Sequence, residues 1–336
     1  NFIMMKIAAL TLALNTGVSA ILYSESPATQ TYLWNAFKSE YGKTYNSEQE
    51  EAKRFETFLV NLAIIDQRNE KANGTATHGI NKFTDMSVAE FKETHLNYEP
   101  TGRKATSFDS SIEPMPEGTK TLVDWTGTLT TPVKDQGYCG SCWAFSATEQ
   151  IESDYMRTAG TEYILSAQQI TTCSYYNIIV GGCNGGNTEK AFTYAEGGVE
   201  LDSDYEYTSG DAGVTGTCSS DSSKYVVKTT GYTSVSSSSS GESAMATYVS
   251  GTGPLSVCVD AEEWSSYTSG VLSTCGTSVD HCVQAVGIDT TASTPYWKVR
   301  NSWGTSWGES GYIRLEYGSN MCEIASDANY AAVEAY

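Results

Sequence analysis

The run Gln136-Gly-Tyr-Cys-Gly-Ser-Cys-Trp-Ala-Phe145 decides how the rest of this chain is read. Residues 142 to 159 read as one helix, which puts Cys142 in its first turn. There the unpaired backbone N–H groups and the partial positive charge of a helix N-terminus favour a thiolate. A thiol nucleophile also needs a base to take its proton and a third group to aim that base. His281, in Asp280-His281, and Asn301, in Asn301-Ser-Trp-Gly-Thr-Ser-Trp-Gly308, are the downstream candidates. A C-x-x-C pair such as Cys139 and Cys142 also suits redox exchange or half of a zinc site. No second C-x-x-C exists, and a Gly-Ser spacer followed by Trp-Ala-Phe fits a helix-borne nucleophile better.

The 336 residues leave room for two domains. Lys6, the apolar stretch 7–14 and Val18-Ser19-Ala20 have the layout of a secretory signal peptide over residues 1–20, with translation expected to start at Met4 or Met5. The formal net charge is −20, and residues 121–336 hold eight Lys and Arg against 25 Asp and Glu. A body this acidic argues against nucleic acid and anionic membrane as partners. It suits equally a solubilised surface and work in an acidic compartment. Nine cysteines, an odd number, fit an oxidising compartment with one thiol left free, and none precedes Cys139.

Residues 21–118 read as a separate, mainly helical module. A helix over 29–41 aligns Leu33, Trp34, Phe37 and Tyr41, and a second aligns Phe55, Phe58, Leu59, Leu62 and Ile65. Residues 100–119 read as an extended linker. Farther on, Ser166 is placed to N-cap a short helix ending near Cys173. Beyond residue 225 the β-branched and aromatic runs 255–259, 283–288 and 296–299 read as strands, with a helix over 242–249. Cys142 on a helical half, and His281 with Asn301 on a strand-rich half, imply a cleft between them.

With these residues in place, the chain resembles the papain family of cysteine proteases, over nearly its whole length. The second helix carries Glu50-x3-Arg54-x3-Phe58-x2-Asn61-x3-Ile65-x3-Asn69, followed by Gly79-x-Asn81-x-Phe83-x-Asp85; both match the cathepsin L-like propeptide. The resemblance implies an α+β, papain-like two-domain fold, with a helical left domain, a β-barrel-like right domain and the cleft between. An inhibitory propeptide (21–118) would precede the peptidase domain (119–336). It implies a Cys142 thiolate and His281 imidazolium pair, Asn301 as the group orienting the ring, Trp303 shielding that contact, and Gln136 as an oxyanion donor. It implies the pairings Cys139–Cys183, Cys173–Cys218 and Cys275–Cys322. Cys258 and Cys282 remain, and a fourth disulfide between them is expected, two free thiols being the other reading.

Substrate contacts follow from the same resemblance. Gly185 and Gly186 would pair with an extended peptide. Asn187, Thr188, Cys258, Val279, Cys282 and Asp327 would line the S2 pocket, with Asp280, Trp303 and Trp307 adding further contacts. Asp327 at its floor would accept Arg or Lys at P2. No His-rich insertion blocks one end of the cleft, so an endopeptidase is expected. The propeptide should cross the cleft in the reverse sense to substrate, and protonation of carboxylates such as Asp85 is the expected release trigger. The expected partners are protein and peptide substrates, the chain's own propeptide and cystatin-type inhibitors, on a monomer in the secretory pathway, a lysosome or acidic vacuole, or outside the cell. No metal or cofactor is implied. The only sequon is Asn73-Gly-Thr75. The competing readings are a non-proteolytic matrix or scaffold protein on the same fold and an inhibitor module whose working part is the propeptide.

Overall fold

The computed structural model describes residues 22–100, 108–174 and 181–336. The expected signal peptide lies outside the described residues. Among them, no helix is long and apolar enough to cross a membrane.

The N-terminal module begins with α1 (Pro27–Glu40) and α2 (Glu48–Ala72). Ser26 and Ser47 cap them by accepting from the Thr29 and Glu50 N–H groups. The apolar stripe seen in the sequence becomes a small core of Trp34, Phe37, Phe58, Leu62 and Ile65. The polar residues of the interspersed motif tie α2 to the chain that follows. Asn61 donates to the Thr84 and Met86 carbonyls, both at 2.8 Å, and Arg54 pairs with Glu90. After α2 come β1 (Ala76–His78) and α3 (Val88–His95), the latter started by a complete Ser87/Glu90 capping box.

The C-terminal body opens with β2 (Leu122–Asp124), then α4 (Cys142–Ala159), α5 (Ala167–Cys173) and α6 (Thr188–Ala195). Next are β3 (Val199–Glu200), α7 (Ser209–Ala212), β4 (Tyr225–Ser236) and α8 (Glu242–Gly251). The strand-rich remainder is β5 (Leu255–Val259), β6 (Tyr267–Leu272), β7 (His281–Asp289), β8 (Tyr296–Arg300), β9 (Tyr312–Glu316) and β10 (Ala328–Ala335). Helix α4 is buried along most of its length, so its acidic groups need partners. Glu152 takes Lys134, the Thr131 hydroxyl and the Leu165 N–H, while Asp154 takes Arg157 and the Ala331 N–H.

The strands follow the order β1-β6-β9-β8-β7-β5-β10-β4-β3, with β2 also on β7. The sheet stays open at both ends, so the barrel-like closure expected from the sequence is corrected to an open, mixed sheet. One edge is taken by β1, where Ala76 faces Gly270 in an antiparallel pair. The N-terminal module thus extends the sheet of the body. The described part of the linker lies against the body too, where Asp109 donates from its N–H to Ser234 and Met115 to Ser243.

Four disulfides form, Cys139–Cys183, Cys173–Cys218, Cys258–Cys282 and Cys275–Cys322, and Cys142 is the free thiol. The fourth bridge joins directly opposed residues of β5 and β7.

Candidate active site

Cys142 is the first residue of α4 and is fully buried. Across the cleft, β7 starts at His281, and the turn after β8 brings Asn301 beside it. His281 Nε2 lies 2.8 Å from Asn301 Oδ1, which also accepts the Ser302 N–H at 2.8 Å. That backbone donor fixes which amide atom is oxygen, so the imidazole must donate from Nε2. Its Nδ1 then carries a lone pair, as a proton acceptor requires, and the His95 carbonyl of the N-terminal module is the backbone group acting on the ring. Trp303 lies over the ring at 4.8 Å between centroids and is itself fully buried. Trp307 packs behind it against Trp264 and Tyr267, so Trp307 supports the site from the core.

Gln136 is held at both ends of its amide. Its Oε1 accepts the Ser302 hydroxyl at 2.7 Å, and its Nε2 donates to the Cys139 carbonyl at 2.9 Å. The same Nε2 points at a third group, the carbonyl of His95 on the N-terminal module, at 3.4 Å.

That module fills the cleft. Asn97 O accepts from Gly186 N–H at 3.2 Å, Glu99 N–H donates to Gly186 O at 2.9 Å, and Tyr98 N–H donates to Asp280 O at 2.9 Å. Tyr98 and Gly186 pair in parallel, so a peptide running the other way would pair antiparallel. Glycine is required here by space. A Cβ on Gly186 would stand 2.6 Å from the Trp143 ring, and one on Gly185 would stand 2.5 Å from the Asn97 carbonyl oxygen. Phe83 and Phe91 close over Trp303 at 5.6 and 5.1 Å.

Burial under this module changes the protonation of the central pair. Loss of water pushes the Cys142 thiol up to about 11, although the backbone N–H groups of Cys282 and Asn97 favour its thiolate. Burial also pulls His281 down to about 4, against its contact with Asn301. Thiol and imidazole are therefore both neutral near pH 7, and the thiolate–imidazolium pair expected from the sequence is disfavoured while the cleft is filled.

Residues 119–332 match the papain family cysteine protease model, and residues 34–91 match the cathepsin propeptide inhibitor domain (I29). The chain belongs to the papain family of cysteine proteases. It is 40% identical over 331 residues to digestive cysteine proteinase 1 of Homarus americanus, covering 94% of this chain and 99% of that protein. It is 38% identical over 312 residues to a cathepsin L-like proteinase of Fasciola hepatica, covering 90% and 93%. Among solved structures, digestive procathepsin L 3 of Tenebrio molitor larval midgut superposes with a TM-score of 0.78 at 34% identity, covering 90% of this chain and 99% of that one. The chain is a zymogen of this family, and the N-terminal module is its own inhibitory propeptide.

The propeptide also marks the pocket expected to be S2. Tyr98 Oη donates to Asp327 Oδ2 at 2.6 Å, Asn329 donates to Oδ1 at 2.6 Å, and Cys258 N–H donates to the Asp327 carbonyl at 3.0 Å. The Cys258–Cys282 bridge thus adjoins Asp327, with half-buried Val279 just before Asp280. Asn187 is buried, and its side chain caps α6 by accepting from Lys190 N–H at 3.0 Å. Thr188 is buried as the first residue of that helix.

Sequence reading missed Glu189, next on α6. One of its carboxylate oxygens is buried without a partner. Burial and the nearby Asp327 charge raise its pKa to about 7, and burial raises Asp327 as well. An acid in the first turn of a helix reads in sequence as a dipole partner, which hid it. Asn73 of the sequon is exposed in a left-handed turn closing α2.

Proposed function

We propose that the chain is a secreted or endolysosomal endopeptidase whose peptidase domain, from about residue 119, uses Cys142, His281, Asn301 and Gln136. His281 Nδ1 takes the thiol proton as Sγ attacks the scissile carbonyl carbon, and the oxyanion formed is held by Gln136 Nε2 and the Cys142 N–H. Collapse expels the amine, which leaves with the proton from Nδ1, and a thioester remains. Water then loses a proton to Nδ1 and attacks the thioester, releasing the acid and restoring the thiol. Each oxyanion donor is typically worth about 3–4 kcal/mol in such transition states.

The observation that supports this reading is an imidazole anchored through Nε2 by Asn301, with the His95 carbonyl already aimed at Gln136. Basic P2 residues would be accepted through Asp327, where the Tyr98 hydroxyl now donates. No observation favours the scaffold reading, since the thiol is present at the helix N-terminus. The test is acidification of the purified zymogen with reductant, followed by cleavage of paired P2-Arg and P2-Leu fluorogenic peptides. Activity should emerge with loss of the propeptide and be absent from Cys142→Ala. A correctly processed but inert wild type would refute the reading.

A further inference from the structure

Next to His281 the body presents Asp260, Glu262, Glu263 and Asp280. Asp260 is nearly fully buried, its two oxygens accepting from the Glu262 N–H at 3.2 Å and the Ser278 N–H at 2.7 Å. Asp280 accepts the Ala261 N–H at 2.9 Å. These bonds hold the segment that displays Glu262 and Glu263 in one conformation. Every ion pair made by a lysine or arginine of the body, among the described residues, goes to a carboxylate outside this patch.

The countercharge comes from the propeptide. Lys92 Nζ meets Glu262 at 2.8 Å, and Lys71 Nζ meets Glu263 at 2.7 Å. Arg68 donates to the Glu262 carbonyl and to the hydroxyls of Ser265 and Ser266, at 3.1, 2.9 and 2.8 Å. An open crevice of about 400 Å³ lies between these partners. Three cationic side chains of a peptide therefore already sit on the patch.

The course of the propeptide says which substrate residues would replace them. Tyr98 occupies the Asp327 pocket, the His95 carbonyl faces Gln136, and Lys92 lies three residues earlier. Because the propeptide runs opposite to substrate, its earlier residues cover the side that takes the residues after the scissile bond. We infer that Glu262 and Glu263, backed by Asp260 and Asp280, form a primed-side subsite that selects Lys or Arg among the first residues after the cleaved bond. This rests on the protease reading above. Once the propeptide leaves, the patch has no countercharge of its own, and a basic substrate residue supplies it.

The experiment uses the mature enzyme and internally quenched peptides that carry Lys or Leu at the first, second or third position after the scissile bond. Enzyme is counted by titration with an irreversible thiol reagent. Exposed charge pairs act weakly and are screened by salt, so Lys should be preferred by about threefold to fivefold in kcat/KM at one position at low salt, and less at high salt. The preference should vanish in Glu262→Gln/Glu263→Gln. Lys no better than Leu at every position, or a preference that survives in the double variant, would overturn the inference. A wild type inert even toward a peptidyl-coumarin, which has no residue beyond the scissile bond, would bring down the protease reading itself.

Discussion

The pH at which the propeptide lets go should be set largely by His78 and His95, two of the three histidines in the chain. Both are buried against the body. The His78 ring faces the Ser266 hydroxyl at 3.0 Å and the edge of Tyr267, with Arg68 and Lys71 of the propeptide nearby. His95 is enclosed by Phe83, Phe91, Tyr138 and Trp303, bonds the Thr94 hydroxyl, and has Lys82 and His281 as its charged neighbours. Burial first, and those cations second, pull His78 down to about 4 and His95 down to about 3.

Each group is a base whose docked pKa lies below its free value near 6.5, so docking keeps it neutral. Its contribution to docking is complete above pH 6.5 and is lost as pH falls toward the docked value. At pH 4.5 docking is weaker than at pH 7 by about 2.5 kcal/mol per histidine, about 5 kcal/mol together. In full-length Cys142→Ala, which does not process itself, tryptophan emission should report release as Trp303 is uncovered. Release should occur between pH 6 and 4 with a net uptake of protons to which His281, also held at about 4 by burial, contributes in the same sense. His78→Gln combined with His95→Phe, which keeps an aromatic ring on Phe91, should lower the midpoint by about one unit and flatten the curve. An unchanged midpoint would refute the argument and place the trigger in groups other than these histidines.

Other consequences are open to direct measurement. Asp327→Ala should lower kcat/KM for P2-Arg peptides about tenfold relative to P2-Leu, and Glu189→Gln should do so more weakly. Asn301→Ala leaves the buried His281 N–H without an acceptor, so kcat should fall about tenfold to a hundredfold while KM changes little. The Cys142 thiol, raised to about 11 under the propeptide, should react with iodoacetamide far more slowly in the zymogen than in the mature enzyme at pH 6; equal rates would show that the cleft is not closed.

Much of the site was legible because its residues sit in locally distinctive surroundings. Residues 142–159 read as a helix and form one with those ends. His281 opens an apolar strand, and Asn301 leads a Trp/Gly run, so both stand out without any contact map. The Cys258–Cys282 bridge was expected only through the family resemblance, whose other pairings leave those two cysteines over. Tyr98 was not legible, since its role depends on the path of the chain through the cleft and not on any pattern around it. The same holds for His78 and His95, whose neutrality comes from surfaces far away in sequence. Whether the sheet closes depends on its edges, and the alternation along single strands says nothing about edges.

Inhibition and latency have one physical cause here. The segment that fills the cleft backwards also removes the water that charged groups need, and burial keeps Cys142 and His281 neutral. The coupling is reciprocal. Anything that stabilises the thiolate–imidazolium pair in the open enzyme, such as the α4 N-terminus or the Asn301 anchor, opposes redocking of the propeptide by the same free energy. An acid pulse that protonates His78 and His95 therefore does more than weaken contacts. It would admit water to Cys142 and His281, and any ion pair formed there would add its free energy to that of release.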